Sequence, residues 1–235
     1  MNQNSTRKTS FYKDLSSLYS SYSEWDLQSS DDEDDLQFSW AGLHKPLIIC
    51  GPSSVGKGTI ISWLKKHYSE KFSESISHTT RKRRPAEAES VDFHFVSRSE
   101  FEAAVWRGEF VESEEVYGNL YGTSIQALKE VSRSGKVCLI GLHVSSAVRA
   151  IEEGLLDANL VFIEPPSLEA LKKRLRGRGT EDEESLNKRI SSFQEEIGVA
   201  RGSRHVTRIV VNNKLEEFKG EMSTIVESLY PHLAK

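Results

Sequence analysis

Little in this 235-residue chain could staple or anchor it. Two cysteines are present, Cys50 and Cys138, each inside an apolar run. A disulfide framework is therefore excluded, and the pair fits a reducing compartment. No apolar run approaches the ~18 residues that a membrane-spanning helix needs. The N-terminus lacks the apolar stretch of a secretory signal. A strong basic excess is missing too. The net charge is −4, so neither nucleic acid nor a membrane is an expected partner. Hydrophobic content is modest at 37%, with 28% charged, yet enough for one large domain, or one domain and a tail.

The charge is unevenly spread. Residues 1–43 hold Arg7, Lys8 and Lys13 against eight acids, five of them in the block Asp31 to Asp35, a net of −5. The rest of the chain is then close to neutral, at +1. The segment is Ser-rich, without a sustained hydrophobic period, and reads as a disordered acidic tail. Its serines beside acids offer phosphorylation sites, but a solvated tail with no defined role is the stronger reading. A cytoplasmic location is expected, with organellar import left open by the hydroxyl-rich first residues.

From Pro46 onward the pattern turns regular. Leu47–Cys50, Val137–Ile140, Leu160–Ile163 and Ile209–Val211 are short apolar runs typical of buried parallel strands. Helical periodicity follows the first, with Ile60, Ile61, Trp63 and Leu64 on one side. It returns at about 145–153, 167–176, 181–200 and 214–229. Ser99 is placed to cap a further helix reaching Arg107, and Thr180 with Glu183 reads as a capping box. Strands alternating with helices predict an α/β fold around a parallel sheet over residues 44–235.

Gly51-Pro52-Ser53-Ser54-Val55-Gly56-Lys57-Gly58-Thr59 follows the first strand and opens a helix. Glycine-rich turns after strands are common. The Gly-x4-Gly-Lys spacing in this context makes phosphate binding the stronger reading. Backbone N–H groups turn inward as a nest, the helix N-terminus adds positive potential, and Lys57 reaches the β- and γ-phosphates. Gly58 stands where the pattern asks for Ser or Thr. Thr59, one position later, is the candidate Mg²⁺ ligand.

Further runs appear in order: Ser77-His78-Thr79-Thr80-Arg81, Arg84, Asp92, His94-Phe95-Val96, Gly118–Ser124 and Arg176–Thr180. Together with the loop they resemble the guanylate kinase family, from about Lys45 to Tyr230. The resemblance implies a P-loop nucleoside-monophosphate-kinase core with a parallel sheet. It also implies an inserted GMP-binding subdomain at about 76–125 and a helical lid at about 174–190. The implied reaction moves the γ-phosphoryl group of ATP to GMP with Mg²⁺, in a monomer. Lys57, Arg178 and Arg189 would be the catalytic charges. Gly51, Ser53, Ser54, Val55, Gly56, Lys57, Gly58 and Thr59 would hold ATP, with Asn212 near the adenine. Arg81, Arg84 and Tyr121 would hold the GMP phosphate. Ser77 and Glu112 would read the base, with Thr123 as a further hydroxyl contact. An Arg fork suits phosphate, and one carboxylate can accept from guanine N1–H and N2–H₂ together. Adenine lacks that donor pair, so such a site would reject it.

The chain departs from the family in places. Phe93 stands where the family has Tyr. Arg83, Ala86 and Ser90 replace Pro, Gly and Gly. At the strand end the family reads Asp-x-Asp then x-Gln-Gly, while this chain has Gly141 and His143, followed by Val144-Ser145-Ser146. These losses leave room for a second function class, a weak or inactive guanylate-kinase-like domain binding nucleotide or phosphorylated partners. The intact loop and lid arginines favour the enzyme.

Overall fold

The computed structural model describes residues 44–177 and 183–233. The acidic tail, Arg178 and the Thr180 cap lie outside them. The chain runs through β1 (Leu47–Cys50), α1 (Lys57–His67), β2 (Phe72–Glu74), β3 (His78–Thr79), β4 (His94–Phe95), α2 (Arg98–Trp106), β5 (Phe110–Val116) and β6 (Asn119–Ser124). It continues through α3 (Ile125–Arg133), β7 (Val137–Gly141), α4 (Val144–Glu152), β8 (Asn159–Glu164), α5 (Leu168–Gly177), α6 (Glu183–Gly202), β9 (Val206–Val211) and α7 (Leu215–Leu229). A 3₁₀ turn at Pro231–Leu233 follows.

Five parallel strands form one sheet in the order β2-β7-β1-β8-β9. Both faces are covered, which is why β1 is apolar at every position. Leu47 and Ile49 pack with Ile60 and Leu64 of α1 and Phe218 and Met222 of α7. Ile48 and Cys50 pack on the opposite side with Leu128 of α3 and Val144 and Ala147 of α4. All four β1 side chains are fully buried, each Leu or Ile contributing ~1.5–3 kcal/mol. No helix among the described residues is long and apolar enough to cross a membrane.

Between β2 and β7 the chain leaves the sheet and builds a second one, in the order β4-β3-β6-β5. A small core of Phe101, Ala104, Phe110 and Leu120 supports it. β5 and β6 form a hairpin pairing Val116 with Asn119, and its two turn residues, Tyr117 and Gly118, take φ of 51° and 80°. Positive φ at both positions is the type I′ turn that matches strand twist.

Strands β1, β7, β8 and β9 and the helices at α4 to α7 stand where the apolar runs and periodicity predict them. One cap differs: Ser97, not Ser99, caps α2. Its side chain accepts from Glu100 N while the Glu100 carboxylate takes the Ser97 N–H, a reciprocal capping box. Ser99 has no such partner three residues on, because Glu102 is turned to Arg98.

Candidate nucleotide site

β1 is the central strand of the sheet, and its carboxyl end opens into the glycine-rich loop. Crevices outside the carboxyl ends of strands are where open α/β sheets bind ligands. Gly51 and Gly56 take φ of 141° and 112°. A Cβ at Gly51 would collide with the Ile163 carbonyl oxygen, and one at Gly56 would lie 2.5 Å from Asn212 Nδ2. Backbone and space both demand glycine. Helix α1 starts directly after the loop with no acidic residue in its first turn and no side-chain cap. Its first N–H groups are thus left for an anion. Lys57 Nζ folds back onto the carbonyls of Gly51 and, at 3.1 Å, Pro52.

The loop is clamped from behind. Asn212 Nδ2 donates to the Val55 carbonyl at 2.7 Å, and Arg174 donates to the Asn212 carbonyl at 2.8 Å. Asn212 is buried, so the structure gives its amide to the loop itself. From the lid side, Arg189 donates to Ser53 Oγ at 2.6 Å, and its guanidinium sits 4.5 Å over the Tyr117 ring. Tyr117 Oη meets Ser192 Oγ, which ties the hairpin tip to α6.

The second sheet supplies the opposite wall. Register pairs Glu112 with Thr123 and Glu114 with Tyr121, which puts these four side chains on one face. Burial pushes the Glu112 carboxyl up to about 7, and the charge of Glu114 adds to the rise. Arg81 and Arg84 converge on one carboxylate: Glu87 accepts from Arg81 at 2.8 Å and from Arg84 side chain and backbone at 3.4 and 2.9 Å. The Arg81 guanidinium lies 5.5 Å from the Phe93 ring centre, and Phe93 meets Tyr121 edge to face at 5.9 Å. Position 93 thus sets an aromatic ring against the guanidinium and offers no hydroxyl. Ser77, at the edge of β3, gives its carbonyl to His94 N at 2.9 Å and is half-buried.

The strand end that lacks carboxylates is not short of them nearby. His143 Nδ1 is 3.3 Å from Glu114 Oε1, and Nε2 is 3.5 Å from Glu196 Oε1. Ser146 Oγ donates to Glu114 Oε2. Burial opposes a charged His143, but the Glu196 contact and the charges of both acids outweigh it. The imidazole is held above its ordinary value, with Lys57 working the other way. Gly141 is exposed, and Thr59 is exposed on α1. Among the described residues no cluster of three or more His, Cys, Asp or Glu could hold a metal. Such a donor set would fit only an ion that keeps most of its ligands from phosphates and water.

The structure thus brings Lys57, Ser53 and Arg189 together, and separately gathers Arg81, Arg84 and Tyr121. Tyr117, Glu196 and Arg174 escape sequence reasoning. Only the Tyr117-Gly118 turn carried a local signal.

Fold and loop define an α/β protein of the P-loop nucleotide-binding class. The family model described as guanylate kinase matches residues 43–229, and the chain belongs to that family. It is 43% identical over 172 residues to guanylate kinase 1 of Oryza sativa subsp. japonica, covering 73% of this chain and 45% of that one. The guanylate kinase of Schizosaccharomyces pombe is 36% identical over 181 residues, 77% of this chain and 89% of the relative. The chain spans about half the length of the plant relatives it matches. A crystal structure of guanylate kinase from Anaplasma phagocytophilum superposes with a TM-score of 0.61 at 26% identity, covering 82% of this chain and 88% of that one.

Proposed function

We propose that this chain is a guanylate kinase, transferring the γ-phosphoryl group of ATP to GMP to give ADP and GDP. The observation that carries the reading is the pairing of two built sites. One is a glycine-cradled loop with Lys57 and Arg189. The other is a wall with a buried acid, Glu112, and an arginine pair already ordered around a carboxylate. Phosphoryl transfer asks for positioning and charge neutralisation more than covalent help, and these residues supply both. In this reading Lys57 and Arg189, with Arg178, neutralise the transferred group. Asn212 and Arg174 keep the loop in shape. Arg81, Arg84 and Tyr121 hold the GMP phosphate. Ser77, Glu112 and Thr123 read the base, the ionised Glu112 accepting from guanine N1–H and N2–H₂. Mg²⁺ enters with ATP and supplies charge neutralisation on its phosphates. We take the protein as a monomer in a reducing, cytoplasm-like compartment, since Cys50 and Cys138 are free and buried. A coupled assay of ADP release with ATP and GMP, dGMP or AMP tests the reading. Turnover with GMP and dGMP but not AMP supports it; equal rates with AMP overturn it.

A second reading, a nucleotide- or phosphoprotein-binding domain without efficient catalysis, is favoured by one observation: the β7 strand end, Gly141 to His143, offers no carboxylate of its own. GMP binding without ADP release would select it.

A further inference from the structure

His143 breaks two local rules. It is the N-cap of α4 yet makes no side-chain cap hydrogen bond, where Asp, Asn, Ser or Thr would stabilise the helix end. It also sets a basic ring at the positive end of a helix. Such violations are tolerated where something nearby compensates. Here the compensation is two acids from two other elements: Glu114 on β5, 14% exposed, and Glu196 on α6, 3% exposed. Glu114 Oε1 and His143 Nδ1 are buried with no hydrogen-bond partner among the described residues, so their 3.3 Å approach is one of charge rather than of a formed hydrogen bond.

The three elements so joined are the working parts of the site. β5 carries Glu112 two residues from Glu114, on the same face. α6 carries Arg189, Ser192 and Glu196 at helical spacing, so one face meets in turn the loop at Ser53, the hairpin tip at Tyr117 and the strand end at His143. We propose that His143, as an imidazolium held between Glu114 and Glu196, is a positioning residue that ties the base-reading strand and the lid helix to the carboxyl end of β7. The acids are on the neighbouring elements, and the strand end carries the cation. The role in catalysis rests on the guanylate kinase reading; the charge coupling itself does not.

The coupling makes a sign prediction that a simple capping view reverses. His143→Asp restores the family residue, gains an N-cap and suits the helix dipole, so on local rules it stabilises. In the relay it sets a third carboxylate against two buried ones. Other charged groups near the relay are Lys57 on α1, which opposes the imidazolium, Glu112 on β5, and Arg149 on α4, whose guanidinium reaches the Ser113 carbonyl at 3.3 Å.

The experiment measures kcat/KM for GMP from pH 6 to 9.5, with melting temperature alongside. It compares the parent, His143→Asp, His143→Gln and the doubles His143→Asp/Glu114→Gln and His143→Asp/Glu196→Gln. His143→Asp should lower kcat/KM at least tenfold and lower the melting temperature. Either Glu→Gln change should recover most of both losses. The parent should lose activity as the imidazolium deprotonates at high pH, and His143→Gln should lack that limb. A His143→Asp variant as stable and active as the parent, additive doubles, or an unchanged alkaline limb in His143→Gln would overturn the relay. If His143→Asp fails to fold, the His143→Gln profile decides alone. If the parent never phosphorylates GMP, the functional reading falls, and the melting-temperature coupling between positions 143 and 114 still decides the relay.

Discussion

In the proposed reaction, Lys57 and Glu112 carry the two chemical demands at the residue scale, a fixed positive charge at the transferred phosphoryl group and an acceptor for guanine. Lys57→Ala should leave the melting temperature within a few degrees of the parent and cost ~10²–10³ in turnover, the usual loss for one electrostatic partner of a transition state. Turnover equal to the parent in the ADP-release assay would remove Lys57 from the reaction. Glu112 makes a prediction with a sign. Its folded value is raised from 4.5 to about 7, so the folded chain holds the proton more tightly than the unfolded one across that window. Burial of Glu112 therefore erodes stability as pH rises from 4.5 through about 7. Guanine's donors favour the ionised form, so GMP binding near neutrality should release a proton, and affinity should rise with pH through about 7. Calorimetry in buffers of different ionisation enthalpy reads that proton directly. Glu112→Gln should lose the Glu112 share of the release, leaving only that of the GMP phosphate. It should also narrow the GMP-over-AMP preference at least tenfold, because the amide turns donors toward donors.

Among the elements, the P-loop is shaped less by its own sequence than by β9 and α5 behind it. Asn212, just past β9, holds the Val55 carbonyl, and Arg174 of α5 holds Asn212. Asn212→Ala leaves that carbonyl without its amide donor, a loss of about 1–3 kcal/mol, and frees space beside Gly56. The expected result is a raised KM for ATP with KM for GMP nearly unchanged. Equal weakening of both substrates would mean that Asn212 serves the whole fold. The same scale explains why β5 was illegible in the sequence. Its inward positions include Glu112 and Glu114, so the alternation that marks a half-buried strand is carried by acids. β3 and β4 are two residues each and show no period at all. In the main sheet, β1, β7 and β8 are apolar runs buried on both faces and read easily, whereas β2, Phe72-Ser73-Glu74, is short and polar and gives no such signal.

For the whole molecule, the described hydrophobic clusters draw only on residues between Leu47 and Leu233. Residues 1–43 are Ser-rich and acidic without a hydrophobic period, so a chain starting at residue 44 should keep its melting temperature and its GMP affinity. A fall of many degrees in a thermal scan would show that residues 1–43 contribute to the body. The Lys45–Asp157 pair at its margin is exposed and worth little.

The sequence by itself determined the α/β class, the order of the main-sheet strands with their helices, and the loop that would bind phosphate. These follow from local spacing: apolar runs, a 3.6-residue period, and glycines at positions a nest requires. It also named candidate site residues through a family resemblance, and it marked Gly141 and His143 as departures. What those departures mean was decided only by tertiary structure. His143 is 29 residues from Glu114 and 53 from Glu196 along the chain, and no local pattern joins them. The parallel sheet and the folded-back hairpin bring the three within 3.5 Å. Burial then weakens the screening that water would give, and a missing carboxylate becomes a cation between two acids.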